Sequence, residues 1–284
     1  MRVILIALVL ASAPLWSHGS ELEHARKLYG LTEYEASLKV LQALPQKDAP
    51  AWELIGRNYY MLGEYKRATE ALEKAAAAEP DNAEIMLWLG RAYGRRAETA
   101  NPFAAPGQAS KARQCFEKSV RLNPKNSEAL GDLFEYYLDA PGFLGGGLDK
   151  AEGLVVQFEA VDPGEAHWAR ARIAEKRKEF SSAEEHLRRA IDANPQRIGR
   201  LIDLAKFLAR QGRYQEADQS MQEAERLAPN SPRVIYAKAD LYIKSGRNLK
   251  VAKQLLQQYM SMSLSPDDPP RADAEKLLKQ VQGS

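Results

Sequence analysis

The chain has 284 residues, 45% hydrophobic and 27% charged, with 40 Lys and Arg against 38 Asp and Glu. That near-neutral balance excludes a general nucleic-acid coat, which needs a clear cationic excess to hold phosphates. The one cysteine, Cys115, excludes an intramolecular disulfide. No C-x-x-C or Cys/His cluster offers a structural metal site, so packing must supply the stability.

Arg2 precedes an apolar run from Val3 to Leu10, followed by small residues and Pro14. This is the pattern of a secretory signal peptide over residues 1–19. A membrane-spanning helix needs about 20 apolar residues, and Ser12, Pro14, Ser17 and His18 interrupt this one early. Ser17-His18-Gly19 places small residues at both recognition positions and predicts cleavage after Gly19, with an uncleaved inner-membrane anchor as the alternative. No cysteine lies near the cut to carry a lipid. The expected location is periplasmic or secreted, without stable membrane insertion, and a single cysteine is compatible with an oxidising compartment.

Further along, Trp52, Ile55, Gly56, Tyr59, Ala68, Leu72 and Pro80 fall in the order and spacing W-x2-L-G-x2-Y, A-x3-F, P. That is the signature of a tetratricopeptide repeat, a helical hairpin. Its small residue and closing proline recur at one 12-residue offset in Ala68/Pro80, Ala112/Pro124, Ala151/Pro163, Ala183/Pro195 and Ala217/Pro229. Ala252 and Pro266 continue the series loosely, and Gly63, Gly212 and Gly246 mark turns from helix A to helix B. The chain divides into seven units at about 18–48, 49–82, 83–126, 127–163, 164–197, 198–231 and 232–265, with a capping helix at about 269–281. The expected fold is all-α: one tetratricopeptide-type right-handed α-solenoid of antiparallel helix hairpins over 20–284, with a C-terminal capping helix.

Close packing explains the signature. A small residue such as Ala68, Ala183 or Ala217 sits where helix B crosses helix A, and Leu72, Leu187 and Met221 fill the space between repeats. Asn or Asp beside the prolines, in Pro80-Asp81-Asn82 and Asn123-Pro124, is expected to cap the following hairpin. The period fails twice. Ala68 to Ala112 spans 44 residues and Ala112 to Ala151 spans 39, about ten and five more than the ~34-residue unit. Both insertions fall between helix A and helix B, within 95–107 and 140–147. They are expected to neighbour one another along one edge, decorated by Phe103, Phe143 and Leu144.

Catalytic chemistry is sparse. The glycine-rich stretch Gly142 to Gly147 lacks the Lys-Ser/Thr ending of a phosphate loop and follows a helix rather than a strand. His24, His167 and His186 show no i, i+4 pairing. His167 occupies the helix A position of Trp52 and reads as a packing residue, and Cys115 as an inert, buried or half-buried thiol. Carboxylates such as Glu152, Glu159 and Glu184 alternate with Lys and Arg on solvated helix faces. Nothing singles out an enclosed catalytic constellation, so the reading is not an enzyme, with no cofactor and no metal.

The inner face is better supplied. Helix A lines the concave surface in repeats of this type, and the residue after its glycine position reads Arg57, Arg91, Glu135, Arg172, Lys206 and Asp240 through successive units. About one turn away stand Tyr60, Leu87, Trp168, Ile202 and Tyr236. Arg and aromatic side chains are enriched at binding hot spots, and a peptide with acidic residues or a free carboxylate would fit a mostly basic ladder.

The extended third repeat, Leu89-Gly90-Arg91-Ala92-Tyr93-Gly94-Arg95-Arg96-Ala97, and the turn Ala140-Pro141-Gly142-Phe143-Leu144-Gly145-Gly146-Gly147 resemble those of exported bacterial tetratricopeptide-repeat proteins. The resemblance covers essentially the whole chain after the signal segment, implies the fold and export, and supplies no substrate. The related carboxylate-clamp domains that hold chaperone C-termini require asparagine where this chain has Arg57 and Arg91. The expected function is a non-enzymatic protein–protein interaction scaffold of the cell envelope, binding a protein or peptide segment in the concave groove as a monomer. A self-associating structural subunit and a binder of an anionic envelope polymer are the alternatives.

Overall fold

The computed structural model describes residues 16–281. The apolar run and Pro14 of the expected export signal lie outside them.

Helices pair in chain order into hairpins. These are α1 (Trp16–Gly30) with α2 (Tyr34–Ala43), α3 (Ala49–Met61) with α4 (Tyr65–Ala78), and α5 (Ala83–Thr99) with α6 (Ala105–Leu122). Then come α7 (Ser127–Asp139) with α8 (Leu148–Val161), α9 (Pro163–Lys176) with α10 (Phe180–Ala193), α11 (Ile198–Arg210) with α12 (Tyr214–Leu227), and α13 (Pro232–Lys244) with α14 (Leu249–Ser261). A last helix, α15 (Arg271–Val281), packs on α13 and α14. Among the described residues there is no strand.

The helix crossings follow the signature. Ala68, Ala112, Ala151, Ala183, Ala217 and Ala252 are all fully buried, because any larger side chain there would push helix B off helix A. Leu72, Leu187 and Met221 fill the space beside them and are buried as well. Turns from A to B need one left-handed residue. Gly63, Gly212 and Gly246 supply it with φ of +77°, +75° and +66°, while Thr32 and Lys178 take the same conformation at φ of +60° and +62° without being glycine.

Capping differs in detail from the sequence expectation. Asn82 caps α5 by accepting from the Glu84 and Ile85 amides. At the next junction Asn126 caps α7, accepting from Glu128 and Ala129. Asn123, expected there, instead ends α6 and accepts from the Lys125 amide. Asp48 and Asp162 cap α3 and α9.

The first insertion is absorbed into helix. Helices α5 and α6 run 17 and 18 residues against 13 and 14 for α3 and α4, leaving a short link over 100–104. The second forms a 3-10 turn, Gly142–Leu144, held by the Tyr136 hydroxyl donating to the Leu144 carbonyl at 2.9 Å. That turn packs on α6, where a Cβ at Gly145 would meet Arg113 Nε at 2.7 Å.

The end of the chain returns to its beginning. Arg95 on α5 and Asp273 on α15, 178 residues apart, form an ion pair at 2.5 Å, and Ala272 lies against Gly63.

Candidate partner-binding cleft

The first helices of five successive hairpins border a common cleft. This cleft of about 590 Å³ is lined by α5, α7, α9, α11 and α13, including Arg91, Gly131, Glu135, Trp168, Arg200 and Arg233. Its volume lies within the roughly 300–1,000 Å³ that small binding sites enclose.

The arginines of the expected basic ladder are already partnered. Arg91 donates from Nε to Asp132 at 2.6 Å and from Nη2 to Glu128 at 2.9 Å, both on the next repeat's α7. Arg172 on α9 reaches back to Glu135 on α7 at 2.9 Å. Arg57 pairs with Glu53 at 3.2 Å and Glu84 at 3.7 Å, and Lys206 with Asp240 at 3.7 Å. Arg200 on α11, which the ladder did not include, bonds Glu165 at 2.5 Å and Asp203 at 2.5 Å. The inner wall is therefore a run of inter-repeat ion pairs rather than a free basic surface. Exposed Arg233 forms no ion pair among the described residues and stands beside Gly199.

A sequence signal for this pairing existed. Glu128, Asp132, Glu135 and Asp139 recur at i, i+4, i+7 and i+11 along α7, which places four carboxylates on one helical face. Packed between α5 and α9, that acidic stripe meets Arg91 on one side and Arg172 on the other. Burial pushes the Glu135 carboxyl up to about 7; Arg172 pulls it down, while Asp139, Asp203 and Glu175 add to the rise. Burial raises Asp132 as well, against the pull of Arg91.

The aromatic positions divide. Trp168 is half-buried against Phe134 and Phe158, with the Arg200 guanidinium 4.7 Å from its ring centroid. Tyr60 packs edge-on against Trp88 and Tyr65, and Tyr236 packs with a tilted ring against Tyr259. The neighbouring Trp88 ring carries Arg57 at 4.5 Å and Arg91 at 5.0 Å. Leu87 and Ile202 must be corrected: they are 1% and 5% exposed and belong to the core. A helix A is covered both by its own helix B and by the adjacent repeat, so a position one residue off the inner face is already interior.

Elsewhere, His167 and His186 join α9 to α10 through their Nδ1 atoms at 3.2 Å. Cys115 is buried, and its thiol is pushed up to about 11 by that burial. Among the described residues no group of three or more His, Cys, Asp or Glu is placed to hold a metal ion, and no helix is long and apolar enough to cross a membrane. Within the two insertions Phe103 and Phe143 are 97% and 82% exposed, and Leu144 is half-buried.

Residues 49–82, 145–198 and 174–241 each match a family model described as tetratricopeptide repeat. The chain is an all-α tetratricopeptide-repeat solenoid. Solved solenoids of this kind resemble it along most of its length. A thermophilic TPR protein from Thermus thermophilus is 22% identical with a TM-score of 0.53, over 67% of this chain and 98% of that one. A tetratricopeptide repeat protein from Parabacteroides merdae is 14% identical with a TM-score of 0.58, over 94% and 99%. The APC/C hetero-tetramer Cut9–Hcn1 contains a chain that is 16% identical with a TM-score of 0.50, over 92% of this chain and 48% of that one. At such identities the likeness concerns the fold alone. No curated protein is significantly similar to the chain. Tetratricopeptide repeats generally serve as protein-interaction scaffolds, because stacked hairpins create long concave surfaces.

Proposed function

We propose that this solenoid is a non-enzymatic scaffold of the cell envelope that holds an extended segment of a partner protein in the concave cleft. One observation carries the reading: helix A of five successive repeats, from Arg91 to Arg233, converges on a single cleft. Repeat solenoids use such a surface to hold another chain. Because three of the cleft arginines, Arg91, Arg197 and Arg200, are matched by carboxylates, the partner is a polar segment of mixed charge rather than an anionic polymer. Its carboxylates meet Arg233, and its donors meet the Glu135 side. Export rests on the signal-like residues 1–19.

The test uses two substitutions that leave the packing alone. Gly131 has open space where a Cβ would stand, so Gly131→Arg fills the cleft, and Arg233→Glu reverses its exposed charge. Pull-down from an envelope extract with mass spectrometry is expected to lose the wild-type partner in both variants. Retention in both would sink the cleft as the site.

The exposed Phe103 and Phe143 rings favour a second reading, self-association through the insertion edge. Light scattering would then report an oligomer that grows with concentration and disappears in Phe103→Ser/Phe143→Ser. A monomer at all concentrations would dismiss it.

A further inference from the structure

We propose that residues 262–281 form a clasp that holds the solenoid shut as a ring, so that the cleft opens sideways only when the clasp releases. This rests on the cleft being the partner site.

The two sides of the clasp are built differently. Toward the C-terminal repeats it is anchored by apolar burial: Ala274 and Val281 are buried in α15, and fully buried Tyr259 on α14 donates from its hydroxyl to the Pro269 carbonyl. Arg271 adds a bond to the Met262 carbonyl at 2.8 Å. Toward the N-terminal repeats the contact is narrow and mostly polar. Arg95 bridges Asp273 at 2.5 Å and the Tyr65 hydroxyl at 2.8 Å, and Arg271 reaches Thr32 at 3.5 Å. Ala272 touches Gly63, where a Cβ would stand 3.3 Å from the alanine methyl. Beside these contacts lies a gap of about 370 Å³ between Tyr34 and Met61 on one side and Leu264 and Pro270 on the other. An apolar interior would have closed such a gap.

Release therefore breaks a few partly exposed polar bonds and leaves α15 seated on α13 and α14. The core permits the motion. Buried apolar residues from Leu22 to Ile173 form one cluster and those from Leu201 to Ala274 another, bridged by a small group between Ala171 and Ala217. Bending at that bridge moves the two ends apart without opening either large cluster. With the ring shut, the cleft lies on its inner wall, and a segment folded at both ends has no lateral path to it. With the seam open it has one.

The test needs no partner. Lys66 on α4 and Lys276 on α15 are exposed, and cysteines placed there take a donor and acceptor dye, the native thiol being buried. The parent should show a dominant high-transfer population. Arg95→Glu or Asp273→Arg should each shift the open-to-closed ratio by roughly tenfold, and the combination should restore it. A second arm locks the seam. Gly63→Cys with Ala272→Cys stand close to the roughly 3.5–4.5 Å Cβ spacing of a disulfide. A further cysteine at Ser127 in the cleft, followed by peptide mass mapping at that position alone, should react with a polyethylene-glycol maleimide much more slowly after oxidation than after reduction, while a small maleimide reacts there alike in both. Unchanged transfer in both single charge variants would overturn the clasp, as would equal bulky-reagent rates in locked and reduced protein. A moving clasp combined with full partner capture by Gly131→Arg and Arg233→Glu would instead overturn the cleft reading alone.

Discussion

Leu72 on α4 fills the place a side chain would need at Gly56 on α3: a Cβ built there stands 2.4 Å from Leu72 Cγ. Gly90 meets Phe116 in the same way, at 2.6 Å, one repeat later. Gly56→Ala is therefore expected to destabilise by about 1–3 kcal/mol through overpacking. Gly94→Ala, on an open face of α5, should stabilise by up to about 1 kcal/mol. Urea melts of the two variants should move in opposite directions.

Lys178 holds a left-handed conformation, φ +62°, at the turn between α9 and α10, where equivalent turns use Gly63 and Gly212. Its side chain is exposed. Lys178→Gly should relieve the steric strain and raise stability by about 1 kcal/mol; a lowered melting temperature would contradict that view of the turn.

Ala217 is fully buried where α12 crosses α11. Ala217→Asp places an unpaired carboxylate there at a cost of several kcal/mol. Loss of helical signal on mild heating is expected, and a circular-dichroism melt indistinguishable from wild type would refute the crossing assignment.

Arg91 and Asp132 link consecutive repeats through a charge-assisted bond. Asp132→Asn leaves Arg91 with Glu128 as its remaining carboxylate. The double-mutant cycle of Arg91→Met and Asp132→Asn should give a coupling of roughly 1–2 kcal/mol that shrinks with added salt. Additive effects would mean the pair contributes nothing to joining the repeats.

Two groups give opposite pH dependences. Burial holds His167 and His186 below the ordinary histidine range, with Arg170 and Arg189 adding to it and His167 further lowering His186. The unfolded chain thus takes those protons first, and their contribution is full above about pH 6.5 and lost as the pH falls. His167→Gln/His186→Gln should flatten the acid-side loss of melting temperature. Glu135, raised to about 7, works the other way: its contribution is present at low pH and lost as the pH rises through that value. Glu135→Gln should therefore gain stability relative to wild type at about pH 8 more than at about pH 5.

The sequence by itself determined the all-α repeat fold. The period of small residues and closing prolines specifies hairpins that can bury their apolar faces only against one another. It also contained the acidic stripe of α7, whose meaning depended on which helices lay beside it. Tertiary structure decided the rest. It showed that the basic ladder is neutralised across repeats, and that Leu87 and Ile202 are interior because neighbouring repeats cover helix A from a second side. It also decided that Arg95 meets Asp273. Local periodicity sets each hairpin, but the curvature that brings residues 178 positions apart into contact accumulates from small rotations at every repeat interface. Those rotations depend on the packing of side chains that are distant in sequence.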